Sequence, residues 1–422
     1  MQLSLFDITA VLLGLSAVFG YINHKFLRLP HTIGLVVIAL LASAAIVVFD
    51  ALVESSQVAE TVTGALKEID FHETLMNGML SVLLFAGAVH VDFSELAARK
   101  WAIGLMASLG VLTSTFLVGT VMWFVMDLFG VAMPFIWALV FGALISPTDP
   151  VAVMGILKTV RIPRLLEAKI AGESLFNDGI GVVVFTIIVA LAVSGGDLDP
   201  GGAISLFAAE AFGGALLGIA AGYLAYFAMR VIDEHNLEVL ITLALVFCTY
   251  ALALHLHISG PIAVVVAGLF IGNHGAKFAM SENTREHVFQ FWELLDEILN
   301  SVLFLLIGLE VLVIGFRNEY IGIALVAIPV VLAARWISVA IPIGLLAIRE
   351  TFTRGAVVLL TWGGLRGGIS VALALSLPPS EYKAAILSAT YAVVVFSIIV
   401  QGLTMKPLVR RVIEQDISDA EA

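Results

Sequence analysis

An all-α chain crossing a membrane about thirteen times is the fold class this sequence predicts, and three observations predict it. Of 422 residues, 60% are hydrophobic and only 13% charged, with a mean hydropathy of +1.07; a soluble domain carries about 25% charge. Apolar runs of about 20 residues, the length of a bilayer-spanning helix, recur from the first residues to the last. Lys and Arg then alternate between the two sides that such spans would create. With the N-terminus outside, sixteen of the 21 Lys and Arg fall in inside loops and the C-terminal tail, three (Lys67, Arg317 and Lys383) fall outside, and Arg335 and Arg366 lie within spans. One missed helix would invert every later loop, so this bias supports the count and places the C-terminus in the cytoplasm.

The runs put the spans at 5–23, 31–49, 73–91, 101–127, 134–157, 165–193, 202–229, 237–254, 258–273, 288–315, 320–348, 354–377 and 384–404. No basic segment or cleavage site precedes the first run, so it is expected to be a retained helix. An acidic loop, Asp50 to Glu73, follows the second span and faces outward. The net charge of −12 identifies no partner, and nothing in the chain has a nucleic-acid signature. A single cysteine, Cys248, excludes an intrachain disulfide and supplies no metal or redox motif. The tail beyond Val412 is short and acidic.

Two spans are interrupted. The fifth carries Ser146-Pro147-Thr148-Asp149-Pro150 near its middle. Neither proline can donate a helical hydrogen bond, and Ser146 and Asp149, each before a proline, are expected to be extended. The twelfth carries Trp362-Gly363-Gly364-Leu365-Arg366-Gly367-Gly368, where four glycines around one arginine predict an irregular, closely packed backbone. Spans five and twelve run in opposite directions. Interrupted segments at matching positions of inverted halves point to the site of a secondary transporter, so spans 1–6 and 8–13 are read as inverted six-helix repeats with broken helices 5 and 12.

The sixth span supplies the chemistry. In Gly172-Glu173-Ser174-Leu175-Phe176-Asn177-Asp178-Gly179, helical spacing sets Ser174 and Asp178 on one stripe and Glu173 and Asn177 on the next. Gly172, Gly179 and Gly181 leave room for close neighbours. A carboxylate at mid-membrane costs about 2.5–3.5 kcal/mol, so Asp149 and Asp178 mark an ion or proton path. Carboxylates, the Thr148 hydroxyl and freed carbonyls would ligate a hard cation, with protons and the cation competing for Asp178. Glu173 is read as the partner of Arg335, and Arg366 as the partner of the exposed half-helix carbonyls. A purely structural polar network is the alternative for each of these residues, and a cation channel or an intramembrane hydrolase the alternatives for the whole. Glu293, Asp296 and Glu297 fit a solvated helix start as well as a cation funnel. His255 and His257 are read as surface, Glu210 and Glu310 as intramembrane acids without a clear partner, and Gly195-Gly196 and Gly201-Gly202 as loop flanks.

These motifs, with Phe291-Trp292-Glu293 and the run from Leu299-Asn300-Ser301 to Gly308-Leu309, carry a resemblance. The chain resembles the cation/proton antiporter-1 family: the NhaP-type sodium/proton antiporters and the eukaryotic sodium/proton exchangers. The resemblance implies an NhaA-like antiporter fold, a homodimer in the cell (plasma or inner) membrane, and no cofactor beyond the transported Na+ (or Li+ or K+) and H+. It implies dimerisation segments at 1–98 and 196–316, core transport segments at 99–195 and 317–405 that move as an elevator, and a short tail at 406–422. It implies that Asp178 is shared by Na+ and H+, with Asp149, Ser174 and Thr148 as further ligands. Asn177 would tie span six to span five, Glu173 and Arg335 would form a structural ion pair, and the Asn177-Asp178 pair would mark electroneutral one-for-one exchange.

Overall fold

The computed structural model describes residues 4–421 apart from 54–57, 70, 99, 150–163, 195–199, 315–317 and 347–354, and every regular element among them is helical. The second half of the predicted fifth span, with Pro150, lies outside the described residues. So do Arg99, Lys158, Arg161, Arg317, Arg349, Arg354 and Gly195-Gly196.

The helices are α1 (Leu5–Ile22), α2 (His31–Leu52), α3 (Val58–Glu68), α4 (71–89), α5 (Phe93–Ala98), α6 (100–128), α7 (Phe135–Ile145), α8 (Arg164–Val193), α9 (Pro200–Met229), α10 (His235–His255), α11 (Gly260–Phe278), α12 (Glu282–Leu309), α13 (Ile321–Leu346), α14 (Ala356–Trp362), α15 (Gly368–Leu375) and α16 (383–421). Their starts follow local chemistry. Ser4 and Asp7 form a reciprocal capping box on α1, Ser259 accepts from the Ile262 amide at α11, and Ser281 accepts from the Thr284 amide at α12.

Ten of these helices are long and apolar enough to cross a membrane: α1, α2, α6, α8 to α13 and α16. The other three predicted spans fall on α4, on the 11-residue α7 and on the α14–α15 pair, so the described residues give ten full-length spans where the sequence predicts thirteen. The acidic stretch after α2 is not a plain loop. It holds α3, whose Ala59 amide donates to Asp50 at 2.7 Å and whose Leu66 is buried against the core. Eleven amphipathic residues are too few to register as a span and are easily passed over as a loop.

Two sets of helices pack mainly within themselves. One is α2, α4 and α9 to α12; the other is α6 to α8, α13, α15 and α16. The first set is drawn together at Gly308 of α12, where an added Cβ would lie 2.4 Å from that of Ala39 on α2 and where the Ser43 hydroxyl reaches the Gly308 carbonyl. Small residues matter here because lipid supplies no hydrophobic drive, so close van der Waals packing holds the helices together. The three glycines of α8 each meet a different neighbour: Gly172 faces Leu96, Gly179 faces Ile262 and Gly181 faces Pro147.

A candidate cation site at two crossed helix breaks

α7 stops at Ile145, and the chain runs on without helical bonds through Thr148 and Asp149. Ser146 departs from the expected extended conformation: it is right-handed helical, at φ −77° and ψ −34°. Its own side chain explains this. The Ser146 hydroxyl donates to the Gly142 carbonyl at 2.6 Å, its amide reaches the Ala143 carbonyl at 3.3 Å, and together they hold one last turn against the proline that follows. Between α14 and α15, residues 363–367 are also non-helical.

The two breaks serve each other's unpaired backbone. The Asp149 amide donates to the Leu365 carbonyl at 2.8 Å. In return, one guanidinium nitrogen of Arg366 donates to the carbonyls of Ser146 at 2.6 Å and Pro147 at 2.9 Å. A buried carbonyl without a donor is costly, and a charged donor is the strongest partner available. Gln401 from α16 closes the other freed end by donating to the Trp362 carbonyl at 3.1 Å. The crossing is tight. A Cβ on Gly367 would lie 2.0 Å from Oδ2 of Asp149, so only glycine lets that carboxylate sit against the second break.

α8 grips the first break through Thr148. Oδ1 of Asn177 accepts from the Thr148 amide at 3.0 Å, and its Nδ2 donates to the Thr148 hydroxyl at 2.8 Å. The Ser174 hydroxyl donates to the Thr148 carbonyl and lies 3.1 Å from the Thr148 hydroxyl. Spacing alone grouped Ser174 with Asp178; the hydrogen bonds group it with Asn177, three residues on, because Thr148 sits between the two stripes. Asp178 is left at the centre. It is 5% exposed, Asp149 and Arg366 are its charged neighbours, and its Oδ1 has no hydrogen-bond partner among the described residues.

Glu173 and Arg335 form a buried ion pair at 2.5 Å, with side chains 2% and 7% exposed. A second nitrogen of Arg335 donates to the Leu360 carbonyl at 3.1 Å, so the pair links α8, α13 and the last turn of α14. The cluster then holds three carboxylates (Asp149, Glu173, Asp178) and two guanidinium groups (Arg335, Arg366), a formal charge of −1 with all five ionised. One monovalent cation or one proton brings it to neutrality.

The other candidates stand apart. The His255 ring bonds to the Ala251 carbonyl of its own helix, and no group of three His, Cys, Asp or Glu among the described residues is arranged to hold a metal ion. Glu293 and Glu297 are exposed near the middle of α12. Glu310 is buried at the end of α12 near Tyr391, and Glu210 lies on α9. Besides Gln401, the sequence reading passed over the buried Glu238 and gave Asn300 no role. Glu238, in the first turn of α10, is buried beside Thr284 of α12. An acid at a helix start is ordinarily solvated and favoured by the helix dipole, so nothing in the sequence sets Glu238 apart. Asn300 stood inside a recognised motif but had no assigned role.

Comparison with known proteins agrees with this architecture. The profile of the family "Sodium/hydrogen exchanger, transmembrane" matches residues 14–411. The chain is 46% identical over 416 residues to the Na(+)/H(+) antiporter NhaP of Pseudomonas aeruginosa, with 96% of each chain covered. It is 38% identical to the Na(+)/H(+) antiporter NhaH of Halobacillus dabanensis, over 81% of this chain and 83% of that one. The sodium proton antiporter MjNhaP1 of Methanocaldococcus jannaschii has the same fold, with a TM-score of 0.74 and 18% identity over 96% and 97% of the two chains. A family profile spanning nearly the whole sequence, joined to relatives of this identity and coverage, shows that the chain belongs to the transmembrane sodium/hydrogen exchanger family.

Proposed function

We propose that this protein is an electroneutral Na+/H+ antiporter of the plasma (inner) membrane in which Na+, or Li+, and H+ compete for Asp178. The observation that carries the reading is the buried Asp178 carboxylate, with an oxygen unpartnered among the described residues, in a cluster whose formal charge is −1. A site one charge short of neutral, in a low-dielectric interior, takes up one monovalent cation or one proton. Exchange of one for the other moves no net charge. The named relatives are Na+/H+ antiporters, which supports the choice of ions. Asp149, Ser174 and the backbone of Thr148 complete the oxygen donors, Asn177 positions Thr148, and Arg366 holds the first break. No cofactor enters the cycle.

Transport follows an elevator in this reading. Helices α6 to α8 and α13 to α16 carry the site past α1 to α4 and α9 to α12, which form the dimer contact of a homodimer. The separate packing of the two sets supports this division. The N-terminus is outside and the C-terminus cytoplasmic in this reading, which the Lys and Arg distribution supports.

The test is proteoliposome transport with a trapped pH dye, titrated separately with NaCl, LiCl and KCl. Sodium addition is expected to drive proton movement that is unchanged when the membrane potential is clamped. Absence of any alkali-cation response overturns the antiport reading, and a rate that follows voltage overturns electroneutrality.

Gly367→Ala is expected to lower transport at least about tenfold, because the new methyl group occupies the place of the Asp149 carboxylate. The protein should still be recovered from the membrane. Wild-type rates in this variant would show that Asp149 is free to move away from the second break without loss.

A further inference from the structure

Asn300 of α12 is 2% exposed, and neither its amide nitrogen nor its amide oxygen has a hydrogen-bond partner among the described residues. An asparagine brings two donors and two acceptor lone pairs, and leaving all of them buried and unmade is costly. Neighbouring polar groups on the same helix are not left this way. The Ser301 hydroxyl, one position on, meets His31 of α2 at 2.8 Å and donates to the Glu297 carbonyl.

The direction of Asn300 follows from helical spacing. Asn300, Leu303 and Ile307 lie at i, i+3 and i+7, on one face of α12. Leu303 packs on Gly368, the first residue of α15, at 2.5 Å from where a Cβ would stand. The Ile307 carbonyl accepts from the Tyr391 hydroxyl of α16. This face therefore meets the helices that carry the site. Asn300 continues it by one turn toward the Glu282 end of α12, at the level of the break that precedes α15. No side chain caps α15 at Gly367, and the carboxylate of Asp149 lies against that glycine. Helical spacing therefore turns the Asn300 amide toward the break that holds Asp149, and the amide has no partner among the described residues.

From this placement we infer that Asn300 is a cation-contacting, selectivity-determining residue contributed by the stationary helices. When the core helices shift along α12, its amide oxygen replaces one water of the cation travelling between Asp178 and the Glu282 side. The inference rests on the antiport reading and adds to it a ligand outside the core helices. An amide oxygen suits the role, being a hard donor without charge that releases the ion again. Unpartnered among the described residues in one conformation and used in the other, it gives a costly polar group a role there.

The test compares wild type, Asn300→Leu, Asn300→Ser and Asp178→Asn in proteoliposomes, with KM and kcat for Na+, Li+ and K+, and with the melting temperature of each protein. Asn300→Leu is expected to raise KM for Na+ by about tenfold, the effect of one lost contact to a charge. It should also change the ratio of KM values among the three cations, with a melting temperature equal to or above wild type. Asn300→Ser keeps an oxygen and should fall between the two; it carries the test alone should the leucine variant not fold. Unchanged KM ratios in both variants overturn the inference, as does a fall in kcat that is equal for all cations, which is the mark of a purely conformational role. The parent reading fails separately, if wild type shows no cation-driven proton movement or Asp178→Asn retains it.

Discussion

Asp178→Asn abolishes sodium-driven proton movement while the protein still folds: that is the expected result with the largest effect on transport. The substitution keeps the volume and shape of the side chain, so the packing of α8 against the two breaks is preserved. It removes the charge and with it the site's formal deficit. The cluster is then neutral when empty and, unlike one altered at the Glu173–Arg335 pair, has lost the central carboxylate whose Oδ1 has no partner among the described residues, so neither Na+ nor H+ is held there. An isolated charge in a membrane interior is expensive, so a cation entering a neutral cluster finds little to offset its lost hydration. Rates should fall to those of protein-free vesicles. Folding is checked by the melting temperature, and binding by its response to Na+: a ligand at a hundred times its Kd stabilises a protein by about 2.7 kcal/mol, and this increment should vanish in the variant. Asp149→Asn is expected to behave nearly the same way in transport. Any sodium-dependent proton flux above background in Asp178→Asn removes that carboxylate from the centre of the mechanism.

The parts of this molecule that could be read from the sequence are those in which one residue's chemistry forces a local outcome. Long apolar runs declared the helices. Pro147 marked the end of α7, and the glycines from Gly363 to Gly368 marked the gap between α14 and α15. Asp149, Asp178, Arg335 and Arg366 drew notice because charge in lipid needs a reason. What spacing could not supply was the third dimension. That Arg366 serves the carbonyls of Ser146 and Pro147, some 220 residues away, is a fact of two breaks crossing, and no local pattern encodes it. Ser146 kept a helical conformation because a serine hydroxyl competes for backbone carbonyls, an effect that outweighs the bias of the following proline. Glu238 and Asn300 were opaque for the converse reason. Each resembles an ordinary helix residue until the structure shows how deeply it is buried.

Glu173→Gln is the second large effect, and it should fall on stability rather than on cation affinity. The Glu173–Arg335 contact is 2.5 Å long and almost wholly buried, and Arg335 spends another nitrogen on the Leu360 carbonyl. Removing the carboxylate charge leaves the Arg335 guanidinium buried near the like charge of Arg366 without its ion-pair partner. Breaking a buried pair from one side typically costs about 3–5 kcal/mol, whereas replacing both partners with apolar residues of similar volume is often neutral. The melting temperature of Glu173→Gln is therefore expected to drop clearly, and the double variant Glu173→Gln, Arg335→Met to recover part of the loss. The mechanical reason for the pair follows from its partners. It joins α8, which carries Ser174, Asn177 and Asp178, to α13 and to the end of α14, just before the second break. In the proposed elevator, a core that travels as one body needs these elements fixed to each other, since a shift of about 1 Å between them would misplace the donors proposed around Asp178. Unequal outcomes separate the roles: a stable Glu173→Gln protein that has lost its sodium response makes Glu173 part of the ion site, while a destabilised one that still binds Na+ with wild-type affinity makes the pair the clamp that holds the site together.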